Sequence, residues 1–211
     1  MIRLGVLAST KATDMQVIID AITAKDLDAE ISVLISNKEN SYALERAKNN
    51  NIKAVFIDIN KFSDIEDKEQ KREAFDKEVS EVLEENNVEL ILLIGYMRFL
   101  SQWFVDKYRN KIMNVHPSLL PKYGGGMDKN VHAEVLKNKE KLTGATLHFV
   151  DEGADSGPII MQKEVKIEEN ETVDSLKEKV QKVEQELLLK AIKLYNEGKI
   201  KVENNKVVVT E

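Results

Sequence analysis

The chain has 211 residues, no cysteine, three histidines, and 31 Lys and Arg against 37 Asp and Glu, for a formal net charge of -6. Zero cysteines exclude disulfides, thiolate chemistry and cysteine-ligated zinc, and three scattered histidines argue against a histidine metal site. The acidic balance argues against a nucleic-acid-binding surface, while a local positive pocket can still take a small anion.

A hydrophobic fraction of 42% at this length supports one well-buried core, so a single domain over residues 1–211 is the expectation. No run approaches the about 18 apolar residues of a membrane span, and membrane contact is not expected. Met1 to Leu7 reads as a strand without the small-residue cleavage site of a secretory signal, which predicts a cytoplasmic protein.

Residues 2–8 predict the first strand. Thr13-Asp14 then reads as the cap of a helix on which Met15, Ile18, Ile19 and Ile22 recur at helical spacing. Strands follow at 31–35 and 54–57, with a helix over 42–49 between them. Phe75, Val79, Val82 and Leu83 mark one face of a long charged helix ending near Asn86-Asn87. Residues 88–94, the most apolar run, predict the central strand. A strand from Lys111 leads into Asn114 and His116, and Val131, Val135 and Leu136 suggest a short helix. Strands over 143–150 and 158–167 flank a turn-rich Asp151–Gly157. Apolar residues from Val173 to Leu194 form a stripe on a long helix that Gly198 ends, and Asn204-Asn205 suits a closing hairpin.

Strands alternating with helices predict an α/β, Rossmann-like fold: a mostly parallel central sheet with helices on both faces and an antiparallel C-terminal extension. Ligands of such sheets bind at the carboxyl ends of the strands. The loops expected there are Ala8 to Asp14, Gly95 to Leu100 and His116 to Lys129.

The stretch Asn114 to Gly126, NVHPSLLPKYGGG, carries the chemistry. Asn114 and His116 are two apart on a strand and share a face, and Pro117 ends the ladder. An amide donates to an oxyanion, and an imidazolium both donates and neutralises charge, which suits a tetrahedral intermediate of acyl or formyl transfer. Asp151, Glu152 and Asp155 are candidate carboxylate partners, and Asp155 sits where a turn can aim it inward. His132 is expected to face solvent, and His148, in a strand beside the site, to give structural support.

NVHPSLLPKY, the HFV of His148 to Val150 followed by DEGADSGPII, and the GYMRFLS of Gly95 to Ser101 resemble the phosphoribosylglycinamide formyltransferase family of folate-dependent enzymes. The resemblance runs from residue 1 to about 195. It implies a nucleotide-binding half over about 1–110 and a catalytic and folate-binding half over about 111–211. It implies a catalytic set falling on Asn114, His116 and Asp155, with Asp155 keeping His116 cationic. Met97, Arg98, Phe99 and Leu100 match the segment whose backbone reads the pterin, Arg72 matches an arginine near the folate, and Asn114 also faces that substrate. Lys11, Ala12, Thr13 and Asp14 fall on the phosphate loop, and Glu184 matches an acid that holds the ribose. Glu184 also lies at the edge of the apolar stripe, where an unpaired carboxylate is costly.

The implied substrates are 5-phosphoribosylglycinamide and 10-formyltetrahydrofolate, the latter as formyl donor, with no metal, in a monomer or homodimer. Two departures stand out. Thr10-Lys11-Ala12-Thr13-Asp14 occupies the place of a Gly-x-Gly-Ser-Asn loop, so both glycines are gone. Gly124-Gly125-Gly126-Met127-Asp128 is longer and more glycine-rich than usual and reads as a lid or a plain flexible loop. The alternatives are a formyltetrahydrofolate hydrolase, a formyltransferase acting on another amine, or a non-catalytic nucleotide- or folate-binding protein.

Overall fold

A computed structural model describes residues 1–125 and 130–210. In chain order the elements are β1 (Ile2–Leu7), α1 (Thr13–Thr23), β2 (Ala29–Ser36), α2 (Tyr42–Asn49), β3 (Ala54–Phe56), α3 (Lys68–Glu85), β4 (Leu90–Leu93), α4 (Gln102–Lys107) and β5 (Ile112–His116). Then come α5 (Val131–Lys137), β6 (Leu142–Phe149), β7 (Ile159–Lys166), α6 (Val173–Asn196), β8 (Ile200–Glu203) and β9 (Lys206–Val209). A short 3-10 turn at Ile59–Phe62 and helix α4 have no counterpart in the sequence reading, because neither is long enough to show a period.

Seven strands form one sheet in the order β3-β2-β1-β4-β5-β6-β7. β1 runs parallel to β2 and β4, β2 parallel to β3, and β7 antiparallel to β6. β8 and β9 make a separate antiparallel hairpin, with Asn204 and Asn205 both at positive φ, the conformation that an Asn-Asn hairpin turn requires. The expected fold class is therefore the observed one.

The chain divides into two compact units, Met1–Met113 and Asn114–Glu211. In the first, β1 and β4 are buried along almost their whole length, as parallel strands with both faces covered must be. Phe75, Val79 and Leu83 of α3 add to that core. Helix α4 carries the chain's single tryptophan, Trp103, whose ring lies beneath the ammonium groups of Lys77 and Lys107 at 5.5 and 4.9 Å. In the second unit, Leu176, Val180, Leu188, Ala191 and Ile192 of α6 are buried and the helix packs on β6 and β7. Thr172 caps α6 reciprocally with Ser175.

Helix α1 begins differently from expectation. The residue before it is Ala12, buried and left-handed at φ 45°, and no side chain caps the helix. Thr13 and Asp14 are its first turn rather than its cap. Ala12 thus holds a left-handed conformation that glycine adopts freely, at a cost of about 1 kcal/mol or more.

Candidate active site

In the second unit the structure brings three side chains and a backbone amide together around Asp155. One carboxylate oxygen, Oδ2, accepts the Gly125 amide at 3.0 Å and lies 3.3 Å from Nδ1 of His116. The other, Oδ1, accepts from Nδ2 of Asn114 at 3.4 Å and lies 3.6 Å from Nε2 of His148. Asn114 Nδ2 also stands 3.2 Å from that His148 nitrogen. Nδ1 of His148 donates to the Phe149 carbonyl at 2.8 Å, which leaves Nε2 facing the site.

Local structure sets these positions. β5 presents Asn114 and His116 two residues apart. Asp151 Oδ1 accepts the Gly153 amide and the Ser156 hydroxyl, tightening a turn in which Asp155 takes φ 56°. Aspartate tolerates this left-handed region better than most residues. Gly157 closes the turn, and a Cβ there would sit 1.9 Å from the Phe149 carbonyl oxygen. The loop after β5 is tied to the sheet as well: Thr146 Oγ1 donates to Ser118 O and accepts the Leu120 amide, and Gln162 donates to Leu120 O.

The electrostatics follow from this packing. Burial pushes the Asp155 carboxyl up, but hydrogen bonding from His148 and from the Gly125 amide, with the charge of the two imidazoles, outweighs it and holds the pKa at about 2. Asp155 is therefore a carboxylate at neutral pH. His116 is 6% exposed, and burial lowers its pKa below the ordinary histidine value. Asp155 and the Tyr123 carbonyl pull it back up without overcoming burial, and His148 lowers it further. The expectation that Asp155 keeps His116 cationic thus needs correction for the resting site: the sign of that pair is as expected, but desolvation is larger. Both ring nitrogens nevertheless face acceptors, since Nε2 donates to Tyr123 O at 2.9 Å while Nδ1 faces Asp155.

His148 is the residue the sequence reading undervalued. It is buried and belongs to the cluster itself rather than serving only as packing. His132 does not face solvent as expected: it is partly buried, its Nδ1 has no hydrogen-bond partner among the described residues, and burial, with Lys177 adding to it, lowers its pKa. Glu184 is partly buried on α6 and already interacts within the protein, so the cost that suggested a ligand is met in the resting fold. Of the glycine-rich stretch Gly124 to Asp128 read as a lid, residues 126–128 lie outside the described residues.

In the first unit the strand order reverses at β1 and β4, and the loops that follow these two strands meet. The Ser9 amide donates to Gly95 O at 3.0 Å, and the Met97 amide donates to Ser9 Oγ at 2.9 Å. Thr10 Oγ1 contacts Gly95 O as well, and Gly95, at φ 61°, leaves no room for a Cβ beside that hydroxyl. Lys11 to Asp14 and Met97 to Leu100 are thereby assembled at one edge. Lys11 is exposed, its carbonyl accepts from Arg46 at 3.2 Å, and Asp14 is buried in the first turn of α1. Met97 and Phe99 are 42% and 50% exposed, while Arg98 turns inward with its guanidinium 4.2 Å from the Phe75 ring centre. Arg72 is paired with Glu69 at 2.6 Å along α3.

The family model for formyl transferase matches residues 2–192. The chain belongs to the formyl transferase family. Among similar formyl transferases, the phosphoribosylglycinamide formyltransferase of Haemophilus influenzae is 34% identical over 97% of this chain and 92% of its own length. That of Escherichia coli is 31% identical over 95% and 90%. The glycinamide ribonucleotide transformylase 1 of Symbiobacterium toebii superposes with a TM-score of 0.90 at 33% identity, covering 100% of this chain and 95% of that one. The chain also matches trifunctional purine biosynthetic proteins adenosine-3, spanning only 14% of the one from Chironomus tentans at 38% identity.

Proposed function

We propose that this formyl transferase moves the formyl group of 10-formyltetrahydrofolate to the amine of 5-phosphoribosylglycinamide, a step of purine biosynthesis. The observation that carries this reading is the Asp155 cluster, in which one carboxylate gathers an amide and two imidazoles. Near full-length similarity to enzymes named for that reaction supports it.

In this reading the amine attacks the formyl carbon, and Asn114 Nδ2 and His116 donate to the oxyanion. Nε2 of His116 now donates to a carbonyl oxygen, that of Tyr123, and an oxyanion taking that place is the stronger acceptor. His116 takes a proton from solvent as negative charge develops beside it, with Asp155 stabilising the imidazolium, and returns it when the oxyanion collapses. The new N–C bond forms, the bond from the formyl carbon to the folate nitrogen breaks, and the amine's proton moves to that nitrogen through a water held by Asp155. Lys11, Ala12, Thr13 and Asp14, with Glu184, serve the nucleotide. Arg72 and Met97 to Leu100, with Asn114, serve the folate. The same reading puts the enzyme in the cytoplasm, as a monomer or homodimer.

A second reading replaces the amine by water. It is favoured by the likeness to a formyltetrahydrofolate deformylase from Pseudomonas syringae, at TM-score 0.84 and 25% identity, although this chain covers only 66% of that one. Deformylation followed by absorbance with and without 5-phosphoribosylglycinamide decides between them. We expect turnover that requires the nucleotide and falls at least about a hundredfold in Asn114→Ala and in His116→Ala. Turnover independent of nucleotide would establish the hydrolase, and near wild-type activity in either variant would remove the catalytic assignment.

A further inference from the structure

Asp76, on α3, is fully buried, and nothing in the catalytic cluster uses it. One of its oxygens, Oδ2, accepts the Ser101 amide at 2.6 Å. The other, Oδ1, has no hydrogen-bond partner among the described residues, and the same holds for the buried Tyr96 hydroxyl and the buried Nε of Arg98. These groups surround the inner side of the Gly95–Ser101 segment. Along that segment exposure alternates: Met97 and Phe99 face out, while Tyr96 and Arg98 face in. Ser101 ends the segment and also caps α4 through its hydroxyl, which accepts the Phe104 amide at 3.3 Å. At the other end Ser9 holds Gly95 and Met97.

We propose that Asp76 is a positioning residue for the folate: by fixing Ser101 and facing Arg98 and Tyr96, it sets the backbone of Met97 to Leu100 in the conformation that receives the formyl donor. The inference rests on the assignment of that segment to the folate.

The energetics separate this role from ordinary packing. Burial raises the Asp76 pKa to about 6, against the Ser101 amide and hydroxyl and the charges of Arg98 and Arg72, while the Tyr96 hydroxyl faces it with no charge of its own. A carboxyl whose folded pKa lies above its unfolded value destabilises the fold as pH rises past the unfolded value near 4, and the cost is complete above about 6. At neutral pH this side chain is thus a liability to the fold, held beside a segment with an exposed rim. A purely structural residue would lose stability when replaced. Asp76 is expected to do the reverse.

The test is Asp76→Asn in the full chain, with Asp76→Leu as a second variant. For Asn we expect a higher urea midpoint than wild type at pH 8, a difference that shrinks toward pH 4, together with a KM for 10-formyltetrahydrofolate raised about threefold to tenfold. The KM for 5-phosphoribosylglycinamide and kcat should stay within about twofold. Leu, which cannot accept from Ser101, should raise the folate KM further. An unchanged folate KM in Asp76→Asn, or a loss of stability together with a proportional loss of kcat, overturns the proposal. Hydrogen–deuterium exchange over residues 95–101 separates the two assignments. Protection by 10-formyltetrahydrofolate in wild type, with an unchanged KM in the variant, refutes Asp76 alone; no protection removes the folate segment and the role of Asp76 with it.

Discussion

Replacing Asp155 by Asn changes one oxygen to an amino group, and four neighbours decide the consequence. Gly125 N–H, Asn114 Nδ2 and, when protonated, both imidazoles direct donors at the carboxylate, whereas an amide offers one acceptor oxygen and adds two donors. At least one donor is then left facing another. The carboxyl pKa falls from 3.8 to about 2 even though burial raises it, so these contacts, net of burial, favour the charged form by about 2 kcal/mol. The side chain is 17% exposed, so solvent screening takes little of it. A group with a depressed folded pKa stabilises fully above its unfolded value and loses that contribution as pH falls through the folded one. Urea denaturation of wild type and Asp155→Asn should therefore differ by about 2 kcal/mol at pH 6–7, with the gap closing between about pH 4 and pH 2. Turnover at pH 7.5 should fall by about a hundredfold or more. A gap that stays constant down to pH 2, or no gap at neutral pH, would refute the assignment of the low pKa to these contacts.

Three further outcomes are expected. The His116 ring should titrate below 6.5 in the ligand-free protein by NMR, and lower still in Asp155→Asn, because the carboxylate is the largest influence raising it; an upward move in the variant contradicts that. Gly157→Ala should unsettle the Asp151–Gly157 turn, since the added carbon falls 1.9 Å from a backbone oxygen, and should lower both melting temperature and turnover; wild-type values for both would mean the turn yields freely. Ala12→Gly should raise stability by about 0.5–1 kcal/mol, because a left-handed alanine is strained; an unchanged or lower urea midpoint argues against strain at φ 45°.

The fold was legible where a period was long enough to read. The stripe from Val173 to Leu194 predicted α6, and the Asn204-Asn205 pair predicted its hairpin, because both signals are local. The 3-10 turn and α4, at four and six residues, fell below the length at which spacing speaks. Within the site, Asn114 and His116 could be paired from the strand period alone. His148 lies 34 residues from Asn114, and only its placement in the folded sheet, with Nδ1 held by its neighbour's carbonyl, turns Nε2 toward Asp155. The His116 pKa is hidden from the sequence for a related reason. A nearby carboxylate can be read from a motif, but the depth at which the pair is buried cannot. Asp76 is the extreme case, a charged residue on a charged helix whose complete burial no pattern announced.

Trp103 offers a way to watch one unit against the whole. As the single indole of the chain it belongs to the unit ending at Met113, so its emission on denaturation reports on that part, while far-ultraviolet helical signal comes from both, α3 lying in the first unit and α6 in the second. Superimposable transitions by the two signals would mean that the units melt as one cooperative body. Separate transitions would give each unit its own unfolding free energy, and would show in which one a given substitution acts.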